Sequence, residues 1–371
     1  MFDTFLINRF DFLTTQKKFV NLSPVHKKYS EQIYQKETTY TMNKNKPAII
    51  GMGNALVDVI NILENDTILD DFGLPRGSMT LVDAELSRKI YEATQSNKRQ
   101  ITTGGSAANT IHTLAKLGTK CGYIGKIGED ELGTSFKEEF EQHRITTFLF
   151  PSEKETGRVM ALVSPDSERT MATYLGAAAD MQPDELSAEI FQGFTILYIE
   201  GYLVQDHALI ESAVDLARSE GLKVAIDLSS FNVVEQNLDF LKKLIAEKVD
   251  IVFANEEEAR AFTGKQPEEA LTEIAALCEL AVVKTGKEGS LIQRGSEKCN
   301  VGIIRATAID TTGAGDNYAA GFFYGMAKGL PLEKCGQIAA LVSGKVVEVM
   351  GAKIPESKWD EILKTVKELE A

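Results

Sequence analysis

Cysteine is scarce in this chain. Four residues in 371 (Cys121, Cys278, Cys299 and Cys335) form no C-x-x-C pair, and no histidine stands at zinc-finger spacing from them. A disulfide-stapled scaffold and a zinc module are thereby excluded, and the thiols read as reduced residues of a cytosolic (cytoplasmic) protein. The four histidines (His26, His112, His143 and His207) form no constellation that spacing reveals. Long apolar runs are missing as well: nothing approaches the roughly 18 uninterrupted apolar residues of a membrane-spanning helix. Basic residues are in deficit, with 40 Lys and Arg against 54 Asp and Glu and a net charge of −14. A general nucleic-acid binder needs the opposite balance, because it must neutralise phosphates. A small anionic ligand is not excluded, since a local nest of backbone N–H groups can hold one. What remains is ordinary globular composition, 43% hydrophobic and 25% charged, which argues against disorder or a fibrous repeat.

Residues 1–41 stand apart from the rest. They contain no glycine and no alanine but eight Phe or Tyr, and their six Lys and Arg against four Asp and Glu give +2. No apolar core or small-residue cleavage site of a secretory signal is present in them. The expectation is that this leader is disordered or not native and that the biological start is Met42, which leaves residues 42–371 as one domain.

After Met42, apolar runs at Ala48–Gly53, Cys121–Gly125, Thr195–Glu200, Lys223–Asp227, Asp250–Ala254 and Leu280–Lys284 alternate with stretches of helical periodicity. Those stretches are Ala107–Leu117, Leu132–Phe140, Ala208–Arg218 and Leu238–Ala246, and the chain from Gly315 onward is nearly all helical in pattern. Such alternation predicts an α/β fold with a central, mainly parallel sheet flanked by helices. Short strand-like pieces break the rhythm at Val57–Leu63, Ser78–Val82, Ile145–Phe150, Arg158–Val163 and Thr170–Leu175. They predict a small β-sheet lid drawn from residues 57–82 and 145–175.

The strongest chemical signal is Asp310-Thr-Thr-Gly-Ala-Gly-Asp316 at the start of a small-residue helix. Two glycines permit a tight turn whose N–H groups face one concavity, and the helix adds its positive end. Gly313, Ala314 and Gly315 are therefore a candidate anion hole. Asp316, in the first helical turn, could accept a hydrogen bond from an attacking hydroxyl. An anion hole beside a carboxylate is what phosphoryl transfer to an alcohol requires, although a Gly-rich turn capped by Asp is also a common structural feature. The second signal, Gly104-Gly105-Ser106-Ala-Ala-Asn109 with Gly118 and Gly128, offers a hinge and early-helix polar groups. Ser106 alone could equally be a helix cap.

Together these segments resemble the paired signatures of the ribokinase-like (PfkB) carbohydrate and nucleoside kinases. Ile111 departs from the first signature, where the family usually has a small residue. The resemblance implies the ribokinase-like three-layer fold and ATP-dependent phosphorylation of a sugar hydroxyl. Asp316 would be the catalytic base and Gly313, Ala314 and Gly315 the anion hole. Gly53-Asn54-Ala-Leu-Val-Asp58 resembles the adenosine-kinase version of the first strand and loop. By that likeness Asn54, Asp58, Gly105, Ser106 and Asn109 would bind the acceptor. Asn255-Glu-Glu-Glu258 resembles the family's Asn-x-x-Glu motif, so Asn255 and Glu258 would organise Mg²⁺ through water. Thr285 and Gly286 would border ATP, and Asp310 with Thr312 could hold a monovalent cation such as K⁺. Each has a plainer reading: Asn255 as a helix N-cap, Asp58 as a turn carboxylate, Thr285-Gly286 as a strand-ending turn. Arg158 and Arg169, in the expected lid, could meet substrate or phosphate or simply be solvated.

The 5′ hydroxyl of adenosine or a related purine nucleoside is the leading acceptor, and a free sugar such as ribose or fructose is the alternative. Tyr174, Leu175 and Phe148 are candidates for a slot around a base. A nicotinamide-dinucleotide-binding protein is a distant alternative, suggested by Gly51-Met-Gly53 after a strand. Leu56 occupies the position of the third glycine of that fingerprint, and no Walker G-x-x-x-x-G-K-[ST] exists in the chain. The expected partners are small molecules, with no nucleic acid and no membrane, and the chain is either a monomer or a homodimer paired through its lid.

Overall fold

The computed structural model describes residues 47–166 and 168–371. The expected leader, 1–41, and Met42 lie outside them. The strands are β1 (Ala48–Met52), β2 (Leu56–Ile62), β3 (Met79–Leu81), β4 (Arg99–Gly104), β5 (Lys120–Gly128), β6 (Thr146–Ser152) and β7 (Gly157–Val163). They continue with β8 (Arg169–Tyr174), β9 (Ile196–Glu200), β10 (Lys223–Asp227), β11 (Ile251–Asn255), β12 (Leu280–Lys284), β13 (Ser290–Arg294) and β14 (Glu297–Val301). Nine form one sheet in the order β14-β13-β12-β11-β10-β9-β1-β5-β6, and five form a second in the order β3-β8-β7-β2-β4.

The large sheet is parallel from β12 to β6 because helical crossovers return the chain to the same edge each time. Its central strands, β1 and β9 to β12, are buried on both faces, which is why they read as nearly continuous apolar runs. Alternate residues serve opposite layers: Ile251 and Phe253 pack into one helical layer, Val252 and Ala254 into the other. The same split divides Ile196 and Tyr198 from Leu197 and Ile199. The β13–β14 hairpin is antiparallel and closes one edge. Direction of travel reverses at β1, whose neighbours are β5 on one side and β9 on the other. In an open parallel sheet, ligands bind beyond the strand C-termini at such a switch point.

The second sheet corrects part of the reading above. Val57–Leu63, Ser78–Val82, Arg158–Val163 and Thr170–Leu175 do fall on its strands β2, β3, β7 and β8. The stretch 145–150 does not: it lies on β6, which pairs in parallel with β5 at the far edge of the large sheet. Its place is taken by β4, which pairs antiparallel with β2. β4 is exposed over its first half and reads Arg-Gln-Ile-Thr-Thr-Gly, too polar to stand out as a strand. The alternative of a dinucleotide turn also fails here, because β1 leads into β2 rather than into a helix. A Cβ on Gly51 would lie 2.5 Å from the Ile111 side chain, and one on Gly53 would lie 2.3 Å from the Glu200 carboxylate. Both glycines make room for side chains, and Gly51 also accommodates the unusually large Ile111.

The small-residue helix Ala314–Ala327 is buried along nearly its whole length, between the sheet and the helices Ser106–Lys116 and Leu332–Val346. Its Phe323 is fully buried, with ring centroids 5.3 Å from Tyr198 and 5.2 Å from Phe253. Phe323→Ala should therefore destabilise the fold by about 3–5 kcal/mol, measured as a shift in urea unfolding; a loss under 1 kcal/mol would mean the site collapses freely.

Candidate active site

Five strand ends converge on one cleft. The residue two beyond β1, and the last residues of β9, β10, β11 and β12, are Asn54, Glu200, Asp227, Asn255 and Lys284, and all line it. The cleft has a volume of about 1010 Å³ and is roofed by the second sheet through Asp58, Met79, Leu81, Arg169, Met171 and Leu175. Asp316, Gly313, Ala314 and Gly315 lie on its floor with Gly105, Ser106 and Asn109.

Asp316 joins two helix starts. Its Oδ1 accepts a hydrogen bond from Ser106 Oγ at 2.7 Å and its Oδ2 one from Asn109 Nδ2 at 2.9 Å, while Thr110 Oγ1 donates to its carbonyl at 3.1 Å. Burial pushes its carboxyl up to about 6 despite those hydrogen bonds and the nearby Lys284 charge, and Asp227 adds to the rise. Gly313 initiates the helix in the left-handed conformation, φ 74°, and a Cβ there would lie 2.5 Å from that of Ala352. The Ala314 N–H closes onto the Thr311 carbonyl at 3.1 Å; the other first-turn amides are among those an α-helix cannot satisfy internally. Lys284 reinforces this positive end: its Nζ would be 3.1 Å from a Cβ on Gly315. Burial opposes the Lys284 charge, yet Asp227, 2.7 Å away, with Glu258 and Asp316 keeps its pKa above the ordinary value.

Among the described residues, two groups in this cleft carry buried polar atoms with no hydrogen-bond partner. Asn109 Oδ1 is a buried acceptor, and Arg169 Nε and Nη2 are buried donors. Asp58 lies close by, its carboxyl raised to about 6 by burial against the charges of Lys353 and Arg169. A Cβ on Gly104 would collide with that carboxylate at 2.5 Å. Gly105 takes φ 101° and approaches the Asn54 carbonyl too closely for any side chain.

Asn255 and Glu258 form a reciprocal helix cap. Asn255 Oδ1 accepts from the Glu258 N–H at 2.8 Å, and the Glu258 carboxylate accepts from Asn255 N–H and Nδ2, both at 2.7 Å. Burial and then Asp227 raise Glu258 to about 7, against Lys284. With Asp227, Glu256 and Glu257 beside it in the cleft, this rim suits a hydrated Mg²⁺, which keeps several waters and takes few protein ligands. Gly286 lines the cleft at a tight turn in which Thr285 N–H donates to the Gly289 carbonyl at 2.8 Å.

At Asp310 and Thr312, the residues expected to hold a monovalent cation, the side-chain oxygens are taken up by donors of the protein. Asp310 Oδ1 accepts from Thr312 N–H and Oγ1, and its Oδ2 from Gly351 N–H and from Arg169 Nη1 at 2.8 Å. Arg169 Nη1 also donates to Thr312 Oγ1 at 2.7 Å. The positive charge is already supplied by a guanidinium from the second sheet. Arg158, by contrast, is buried beside Ser87 and Glu155, with its guanidinium over Tyr91 and Tyr174, and does not line the cleft. Of the base-slot candidates only Leu175 lines it; Tyr174 faces Arg158, and Phe148 packs near Phe194.

Residues 77–359 match the pfkB family of carbohydrate kinases. The chain belongs to that family. This pfkB-family protein is a phosphotransferase acting on a sugar or nucleoside. It is 33% identical to a probable sugar kinase from Rhizobium etli, with a TM-score of 0.78 over 87% of this chain and 99% of the other. Its likeness to an adenosine kinase from Sinorhizobium meliloti is similar: 33% identity and a TM-score of 0.76 over 88% and 100%. A 5-dehydro-2-deoxygluconokinase from Geobacillus thermodenitrificans is 26% identical over 82% of this chain and 94% of its own length. Among the described residues no helix is long and apolar enough to cross a membrane.

Sequence reasoning missed Glu200. This pfkB-family kinase buries it almost completely, where Oε1 accepts from Asn54 N–H and Nδ2 at 2.8 and 2.7 Å and Oε2 from Ala107 N–H at 2.9 Å. It thus caps the helix that carries Ser106 and Asn109. No local pattern marks it, because its partners are 93 and 146 residues away. Burial raises its carboxyl from 4.5 to about 7, although Ala107 and Asn54 oppose the rise. The native state therefore holds this proton more tightly than the unfolded chain, and the stability it brings at low pH is lost as pH rises from 4.5 through about 7. Glu200→Gln should cost about 1–3 kcal/mol at pH 5, because an amide N–H₂ would face a donor, and less at pH 8. Urea unfolding at the two pH values checks this; a larger loss at pH 8 would contradict it.

Proposed function

We propose that the chain transfers the γ-phosphoryl group of ATP to the 5′ hydroxyl of adenosine or a related purine nucleoside. Asp316 is the base in this reading: the hydroxyl gives its proton to a carboxylate oxygen as the new O–P bond forms in line and the bond to the ADP bridging oxygen breaks. Ser106 and Asn109 hold that carboxylate in place, and the orphan Asn109 Oδ1 and the Asp58 carboxylate accept from the sugar hydroxyls, with Asn54 and Gly105 beside them. The first-turn amides at Gly313–Gly315, with Lys284, take up charge growing on the transferred group. Arg169, whose Nε and Nη2 are open, contributes a further donor from the roof, and Thr285-Gly286 borders the nucleotide. Mg²⁺ would be held through water by Asn255 and Glu258, where it would neutralise phosphate charge. No step runs through K⁺. Closure of the second sheet as a lid would exclude water, a rival nucleophile. The four thiols are all free, in keeping with a reducing, cytoplasmic location.

The observation that carries the nucleoside over a free sugar is the apolar wall of the cleft. Met79, Leu81 and Tyr202 are 50%, 60% and 39% exposed, and with Met171 and Leu175 they face the same space as Asp58. A ribose or fructose has no flat apolar face to cover such a wall, whereas a purine does.

Two measurements test this. Asp316→Asn should keep the fold and nucleotide binding while lowering kcat by ~10²–10⁴. In the native enzyme kcat/KM should fall below about pH 6, as Asp316 and Asp58 take up protons. Near-normal turnover in the variant removes Asp316 from the chemistry. In a coupled ADP-release assay, adenosine should exceed other nucleosides, ribose, fructose and 5-dehydro-2-deoxygluconate in kcat/KM. A sugar or sugar acid at the head of that order replaces the nucleoside reading and leaves the kinase standing.

A further inference from the structure

One turn beyond Asn109 on the helix Ser106–Lys116, outside the residues that line the cleft, three side chains with metal-binding chemistry come together. His112 lies on that helix, Ser106–Lys116, and Glu139 on the helix Glu131–Gln142, whose C-cap is His143. Glu139 and His143 are four residues apart and so present themselves from successive turns of one face. Among the described residues this is the one group of three such side chains whose ligating atoms all lie within 4.8 Å of one another. His112 Nε2 is 3.7 Å from Glu139 Oε1, and the two imidazole rings meet edge to face with centroids 4.5 Å apart.

We propose that His112, Glu139 and His143 form a binding site for a divalent transition-metal ion, with Zn²⁺ the best fit, separate from the phosphoryl-transfer site. Two imidazoles and one carboxylate with an open fourth position are a common zinc set. Metal–ligand bonds of about 2.0–2.1 Å in tetrahedral geometry put neighbouring ligand atoms roughly 3.4 Å apart, so small side-chain rotations suffice to close the set. A hard ion such as Mg²⁺ prefers oxygen ligands and would compete poorly for two imidazoles.

The surroundings bear on this in both directions. The ion would lie at the carboxyl end of Glu131–Gln142, where the helix dipole favours a cation. Burial, followed by the charges of Lys353, His143 and Lys116, lowers the pKa of His112 well below its usual value. Burial and Lys116 also lower that of His143, against Glu139 and Glu356. The competitor is Lys353, whose ammonium pairs with Glu139 and Thr103. Burial lowers the Lys353 pKa despite Glu139 and Asp58. Lys116 is paired with Glu356.

The test is a titration of the metal-free, full-length chain with Zn²⁺ alone against a chromophoric zinc chelator, in millimolar Mg²⁺ to occupy oxygen-rich sites. The expected result is one equivalent of Zn²⁺ at micromolar affinity or tighter. His143→Ala and Glu139→Gln should each weaken it ~10-fold or more, with folding checked by circular dichroism. Co²⁺ in place of Zn²⁺ should give visible ligand-field bands that both variants lose. Wild-type affinity in either folded variant, or no stoichiometric binding by the wild type, overturns the proposal.

Discussion

One carboxylate holds two parts of this molecule in register. Asp316 sits in the first turn of one buried helix and takes hydrogen bonds from Ser106 and Asn109 in the first turn of another. Each helix start needs an acceptor for its unpaired amides and carries a partial positive charge. Glu200 satisfies one of them from below, and the charge of the other is left facing the cleft with Lys284. The small residues of Ala314–Ala327 follow from this demand, because a helix that must bring its N-terminus into the centre of the molecule has to be packed on all sides.

The concentration of acids there has an electrostatic cost. Asp58, Asp316, Glu200 and Glu258 are all raised by burial, to about 6 or about 7. Each binds protons more tightly folded than unfolded, so each lowers stability as pH climbs, from 3.8 to about 6 for the two aspartates and from 4.5 to about 7 for the two glutamates. Arg169, Lys284 and Lys353 offset the repulsion from three different elements. Arg169 is the most telling, since it reaches from the second sheet to Asp310 and Thr312 and so ties the roof to the turn that precedes the helix Ala314–Ala327.

What binds in the cleft is narrowed by its two unlike walls. The polar groups of Asn54, Asn109 and Asp316, with Asp58 from the roof, suit hydroxyl groups, and the exposed Met79, Leu81 and Tyr202 suit a flat apolar partner. A purine nucleoside presents both kinds of surface on one small molecule.

The sequence by itself determined the parallel sheet and the glycine turn that opens the helix Ala314–Ala327. Strands buried on both faces must be continuous apolar runs, and Gly313-Ala-Gly315-Asp316 is a local motif whose geometry follows from neighbouring residues. Tertiary structure alone decided the rest. The polar strand β4 and the misassigned β6 owe their places to pairing partners rather than to their own pattern, since a half-exposed edge strand has little hydrophobic signal. Glu200, Asp227 and Lys284 were invisible as site residues because ordinary strand ends acquire meaning only when distant segments meet, and Arg169, already a candidate in the sequence, is told from a solvated arginine only once β8 brings it to Asp310. Asp310 shows the converse: its neighbourhood in the chain suggested a cation, and the fold had already brought one in the form of an arginine 141 residues earlier in sequence.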